Sequence, residues 1–419
     1  MDTPRRPDSS LRIIVIGGGI GGLCLAQGLR QGGVGNVVVY ERDESARGRM
    51  QGYRLRISPD GELALRQVLP RALQDLLTVT SNERHDEGLA AYDEHLEPLW
   101  APSFTDPRGD APDKVDAVDR ATLRRILLAG LDDTVRYGKR FTHCEQTEDG
   151  RVVAHFSDGS SDVGDLLVAA DGANSQVRAQ LRPQDSALDL GVRGILARTP
   201  RAKAIEAGLP EFLKDRFIYV IGSDGAHLGL MPMVFRERPE EAAARFWPGL
   251  SFEVSGDYYM SVFSVHQKDL GLSDEVFFSM SGTELRDLAL ERTTAWHPDL
   301  RGVFAHAETE ETYPIALRAT APVEPWAPGN VVPIGDAVHI MPPTGGVGAN
   351  TALRDGALLS RVLIAVARGE QPLADALAEY QAEMVRYSND AVNMSLKIAK
   401  WSIQIDVDGE QTPAEVSTV

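Results

Sequence analysis

Leu11 to Gly22 reads LRIIVIGGGIGG. A continuous apolar, β-branched run that breaks off at glycines has the texture of a strand buried on both faces of a parallel sheet. Leu23, Leu25, Ala26 and Leu29 follow at roughly helical spacing, and Gly32-Gly33 stops the helix. Val37 to Tyr40 (VVVY) is a second buried strand, so the first 41 residues form a β-α-β unit. Gly17, Gly19 and Gly22 place G-x-G-x-x-G between its first strand and its helix, the context in which that pattern is informative. The first glycine permits a tight turn, the second lets backbone approach a pyrophosphate, and the third lets the helix pack on the strand. The helix N-terminus adds N–H groups and partial positive charge for the anion. Glu41 ends the second strand, 19 residues after Gly22. A carboxylate there accepts from both ribose hydroxyls of an adenosine and repels a 2′-phosphate, which favours FAD or NAD over NADP at this site.

The rest of the chain narrows the function. It has 419 residues, 43% apolar and 25% charged, which fits two or three folded domains or one large fused unit. Forty-three basic against sixty-one acidic residues give a net charge of −18. That field repels nucleic acid and anionic lipid alike, so neither is expected as a partner. Cys24 and Cys144 allow one bridge at most, which excludes a disulfide framework and fits a reducing cytoplasm. MDTPRRPDSS lacks the apolar core of a signal peptide, and no run of about 18 apolar residues is long enough to span a membrane. There is no CxxC, no HExxH and no P-loop lysine motif, so no metal is expected.

Further along, 121–131 is strongly helical, and Phe141–Thr147 with Arg151–Phe156 suggests a hairpin. Asp165 to Ala169 is another buried strand. From about 185 to 315 short alternating runs imply a mostly antiparallel sheet with its own helix, Thr283 to Trp296. Asn330 to Ile334 returns to the buried-strand style. One amphipathic helix follows Asn350 and another covers Leu373 to Ala399. The expected fold is α/β: a Rossmann-like domain with a parallel sheet, interrupted by a mostly antiparallel substrate domain, plus C-terminal helices. The expected division is a disordered lead over 1–10, a dinucleotide-binding domain over 11–184 and 316–365 with smaller insertions near 50–115, a substrate domain over 185–315, C-terminal helices over 366–405 and a flexible acidic tail over 406–419.

Three separated motifs carry a family resemblance. Glu41-Arg42, then Asp171-Gly172 within DLLVAADGANSQVR (Asp165 to Arg178), then Gly335-Asp336 opening GDAVHIMPPTGGVGANTALRDGALL (Gly335 to Leu359) resemble the signature of class A flavoprotein monooxygenases, the para-hydroxybenzoate hydroxylase-like enzymes. The resemblance spans roughly residues 11 to 365, in family order and spacing. It implies non-covalent FAD on the first motif. Asp171 and Gly172 would help hold the cofactor and nicotinamide region, and Asp336 would bond ribityl or ribose hydroxyls as a forked acceptor. The N–H groups of Gly348, Ala349 and Asn350 would meet the pyrimidine edge of the flavin, where a helix N-terminus stabilises negative charge. Arg120, which starts R-x-x-L-x-x-x-L with Leu123 and Leu127, resembles the arginine that reaches the flavin diphosphate.

Arg42, Arg49 and Arg56 join the cofactor candidates, with Arg54 on the same strand face as Arg56 and assigned to the substrate pocket. Pro343 and Thr344 resemble the family's Pro-Thr-Gly beside the substrate ring. Arg193, His227, Met231 and Phe235 are the remaining pocket candidates, the last three from one face of the run 226–235. His339, just after Gly-Asp, reads as a packed histidine orienting its loop. The implied activity is oxygen insertion, driven by NADH or NADPH and O2, through a flavin C4a-hydroperoxide into a small aromatic or polyketide-type metabolite. The cofactor does the hard chemistry, so no strong acid–base constellation is expected. Two rivals stay open: a reductase or dehydrogenase on the same fold, and a nucleotide-binding protein without catalysis.

Overall fold

In the computed structural model, residues 11–46, 53–83, 89–101, 108, 111, 114–185, 187–252, 256–326 and 329–405 are described. The strand Ile13–Ile16 sits at the centre of a five-stranded, all-parallel sheet, between Leu166–Ala169 and Val37–Tyr40, with Val331–Pro333 and Val135–Arg136 at the edges. All four of its residues are buried because both faces are covered. Ile13 and Val15 face one core, shared with the helices Ile20–Gln31, Arg120–Leu128 and Gly348–Ala367. Ile14 and Ile16 face another, under the antiparallel strands Phe141–Gln146, Val152–Phe156 and Ser161–Gly164. The unbroken apolar run at 13–16 therefore has the cause expected of a parallel strand.

The second layer is a seven-stranded sheet in the order Tyr313–Ala319, Leu188–Pro200, Tyr258–His266, Ala226–Met233, Phe217–Ile221, Leu89–Asp93, Pro98–Leu99. Its pairings are antiparallel except Phe217–Ile221 with Leu89–Asp93, which is parallel. Two strands thus come from the segment before residue 115, and Tyr313–Ala319 runs past 315. Alternation gives this sheet two faces. Leu228, Leu230, Tyr259 and Phe263 pack under the helices Gly282–Arg292 and Pro298–Ala305 with Leu285, Ala289 and Phe304. The former helix starts at Gly282 because Ser281 and Glu284 form a capping box, and it ends at Arg292 rather than running to Trp296. On the opposite, inner face, register aligns Tyr258 with Met233, Met260 with Met231, Val262 with Gly229, and Ser264 with His227; Tyr219 also stands opposite Gly229.

Two tyrosines fix which way the inner face looks. Tyr258 donates from its hydroxyl to Asp119 Oδ2 at 3.0 Å, and Tyr219 donates to the carbonyl of Thr344 at 2.9 Å. Both acceptors belong to the part built on the parallel sheet, so the inner face closes over it. A two-stranded ribbon, Arg54–Arg56 with Ala117–Asp119, lies near this junction. The long helix Leu373–Ser402 packs along Gly348–Ala367. Among the described residues no helix is long and apolar enough to cross a membrane.

Candidate functional site

The glycine turn has the shape that a dinucleotide needs. Gly17 adopts φ +110°, and a Cβ there would meet the Ala170 carbonyl oxygen at 2.3 Å; one on Gly22 would meet the Gly17 carbonyl oxygen at 2.2 Å. Only glycine fits either position. A Cβ on Gly19, by contrast, would meet nothing within 4 Å, so its backbone faces open space at the start of the helix Ile20–Gln31. Glu41 is buried at the end of Val37–Tyr40, and its two carboxylate oxygens accept from Gly18 N at 2.8 Å and Asp43 N at 3.0 Å. Each oxygen keeps acceptor capacity for a hydroxyl. Arg42 is exposed beside it, and Arg49 lies outside the described residues.

Arg124 was not singled out by sequence reasoning, yet it braces this turn. Its Nε donates to the Gly18 carbonyl at 3.2 Å and its Nη1 to the Ala46 carbonyl at 2.8 Å. The available signal was its place four residues after Arg120, on the same face of Arg120–Leu128. Arg120 itself lies within electrostatic reach of Asp336. Asp336 opens into the cleft but is crowded by protein, and that burial raises its pKa against the pull of His339, Arg120 and Arg178. Arg178 joins the second and third motifs, donating to the carbonyls of Asp336 at 2.9 Å and Ala173 at 2.6 Å. Asp171 accepts from Gln176 N at 2.8 Å through Oδ2, while its buried Oδ1 has no partner among the described residues. Gly172 continues the turn with φ +80°.

Across the cleft, the helix Gly348–Ala367 begins with no side-chain cap on its first turn, which holds Gly348, Ala349 and Asn350. The Asn350 side chain is spent on structure. Its Nδ2 donates to the carbonyls of Arg56 at 2.8 Å and Gly346 at 2.9 Å, and its Oδ1 accepts from Ser58 N at 2.8 Å. Pro343 is exposed, and Thr344 is tied down by Tyr219 and by its own hydroxyl donating to the Ser395 carbonyl at 2.8 Å. His339 is the loop-orienting residue that the sequence suggested. It is fully buried, 2.7 Å from Asp355, which also accepts from Gly335 N at 2.7 Å and from the Tyr387 hydroxyl.

The pocket candidates divide. Met231 and His227 lie on the inner face, and Phe235 clusters with Met233, Tyr258 and Met260 just beyond it. His227 is buried with neither ring nitrogen bonded among the described residues, and burial, then His266, lowers its pKa to about 4. Arg193 corrects an expectation. It stands opposite Val265, on the face turned away from the cleft, and its guanidinium is held by Asp189 and Asp274 at 2.7 and 2.8 Å. Strand parity, which one residue reverses, decides this. Arg54 and Arg56 do share a strand at the junction. Among the described residues one group has metal-ligand spacing, His143, Glu145 and His155, and it lies on the hairpin remote from these residues.

These features fit FAD: an open glycine backbone at a helix start, a buried carboxylate for ribose, a cleft-facing Asp336 with Arg120 nearby, and an uncapped helix start opposite. Comparison with known proteins agrees. Residues 290–395 match an FAD binding domain family and residues 15–77 an NAD(P)-binding Rossmann-like domain. A crystal structure from Photorhabdus luminescens subsp. laumondii, assigned as an FAD-containing monooxygenase, is 30% identical, superposes with a TM-score of 0.78, and covers 95% of this chain and 100% of its own. Klebsiella pneumoniae HpxO, solved with FAD and uric acid, is 25% identical with a TM-score of 0.71, covering 96% of this chain and 90% of its own. A dual O-methyltransferase/FAD-dependent monooxygenase, elcB, from Phaeosphaeria nodorum is 31% identical over 86% of this chain. The chain spans 41% to 44% of the length of that protein and of two similar dual-function relatives. With the full-length likeness to the Photorhabdus structure, the chain belongs to the FAD-dependent monooxygenases of class A.

Proposed function

We propose that the protein uses FAD, NADH or NADPH, and O2 to place one oxygen atom on a small aromatic or polyketide-type molecule. The observation that carries this is the convergence of Glu41, Asp336 and the uncapped start of Gly348–Ala367 on one cleft, roofed by the inner face of the seven-stranded sheet. Bound FAD supplies the redox chemistry, accepting hydride from the nicotinamide and activating oxygen. The chain's own residues bind, orient and dry the site. Glu41 would accept from the adenosine ribose and the Gly17–Gly22 turn would cradle the pyrophosphate, with Arg120 as a counter-charge. Asp336 would accept from hydroxyls of the cofactor chain, and the N–H groups of Gly348 and Ala349 would stabilise negative charge on the ring. Met231, Met260 and the Pro343–Thr344 loop would wall the substrate side against water. The oxygen-inserting activity of the relatives, elcB among them, supports this reading.

The test is purification, release and identification of the flavin, then NADH or NADPH consumption under air with a panel of phenols and polyketides. Substrate-stimulated oxidation with a product heavier by one oxygen, labelled from 18O2, is expected. Bound FAD with uniformly uncoupled oxidation across the panel would favour the reductase reading. A protein that neither carries nor takes up FAD would overturn the proposal.

A further inference from the structure

We propose that Arg54 anchors an ionised oxygen of the substrate, a carboxylate or phenolate, so that acidic aromatics are the class this cleft selects. The inference rests on the monooxygenase reading and names the substrate end of the same site. Arg54 stands opposite Asp119 across the ribbon, where a counter-ion would be expected. That carboxylate is already committed: one oxygen takes the Tyr258 hydroxyl at 3.0 Å, and the other takes Thr122 N at 2.8 Å and Thr122 Oγ1 at 2.9 Å. The other nearby acid, Asp116, pairs with Lys114 at 3.1 Å and Arg108 at 3.5 Å. The Arg54 Nε is buried and bonds nothing among the described residues. Burial, with Arg56 as a second cation, lowers its pKa to about 10, only partly opposed by Tyr258 and Asp116.

A guanidinium held this way is short of negative charge, and a desolvated one gains most from a forked acceptor. The surroundings say what carries that acceptor. Met233, Phe235, Tyr258 and Met260 form one apolar cluster, and Tyr258 lies within electrostatic reach of Arg54. On the other side the Arg56 stem lies against Gly346, in the turn that precedes Gly348–Ala367. Arg54 therefore stands where the sheet's inner face meets the proposed flavin helix. An aromatic body against the methionines with its acidic oxygen on Arg54 satisfies both kinds of surface. In a chain of net charge −18, such a local cation also sets where an anion enters.

The test titrates 2-naphthoate and its neutral isostere 2-naphthamide into the purified flavoprotein by calorimetry, with FAD content measured separately. Wild type is expected to bind the acid at least tenfold more tightly than the amide. Arg54→Gln should abolish that preference at unchanged FAD content, and Arg54→Lys should keep part of it. Equal affinities in wild type, no binding of either compound, or a preference that survives Arg54→Gln would overturn the proposal. FAD loss confined to Arg54→Gln would overturn it too, by assigning the guanidinium to the cofactor. Absence of FAD from wild type would instead sink the monooxygenase reading, while the acid–amide comparison still judges Arg54.

Discussion

Two buried histidines pull the stability of this protein in opposite directions with pH. Burial alone would push the His339 pKa down, but Asp355 at 2.7 Å more than reverses this and the folded value is raised. A raised folded value gives stability that is complete below the unfolded pKa of about 6.5 and is lost as pH climbs through the folded value. His227 does the reverse. Its folded pKa is about 4, so it stays neutral in the fold, and stability is lost as pH falls from about 6.5 toward that value. The shift corresponds to about 3 kcal/mol, fully lost only below both values. Urea unfolding from pH 4 to 9 should therefore show losses on both limbs. His227→Leu should flatten the acid limb. His339→Gln should flatten the alkaline limb and cost about 3–5 kcal/mol at neutral pH, because it leaves Asp355 buried without its cation. Identical pH profiles for wild type and both variants would contradict the assignment.

At the scale of elements, the start of Gly348–Ala367 is held to the ribbon strand by one side chain. Asn350 uses two donors and one acceptor to join Arg56, Gly346 and Ser58. Asn350→Asp keeps the shape but replaces both donors with acceptors facing carbonyls. A loss of about 2–4 kcal/mol and weaker FAD retention are expected from thermal unfolding and flavin release. Unchanged stability would mean that the staple is dispensable. Sequence reading found the glycine turn, Glu41 and the buried strands because each is local: a few consecutive residues carry the whole signal. It assigned Asn350 to the cofactor through its backbone, but could not see that the side chain binds residues nearly 300 positions earlier. Arg124 and Asp355 were missed for the same reason, since their partners are set by tertiary packing. Arg193 was placed on the wrong face because pattern gives a strand's alternation but not which of its faces meets the cleft.

For the whole molecule, the question is whether the two layers act as one unit. The core beneath the parallel sheet gathers residues from Ile13 to Tyr387, while the helices over the seven-stranded sheet enclose a separate core. Two hydroxyl bonds bridge the layers, Tyr219 to Thr344 and Tyr258 to Asp119. They also set the distance between the inner face and the proposed flavin helix. FAD binds only the folded parallel-sheet layer, so saturating it at about 100 times Kd should add about 2.7 kcal/mol to that layer. If the bridges couple the layers, the gain spreads across both, and flavin fluorescence and near-ultraviolet circular dichroism report one midpoint. Tyr219→Phe with Tyr258→Phe removes both bonds but keeps the rings. The double variant should split the midpoints, with the seven-stranded sheet unfolding first and no longer responding to added FAD. A single FAD-responsive transition in the double variant would show that apolar packing, rather than these two bonds, joins the layers.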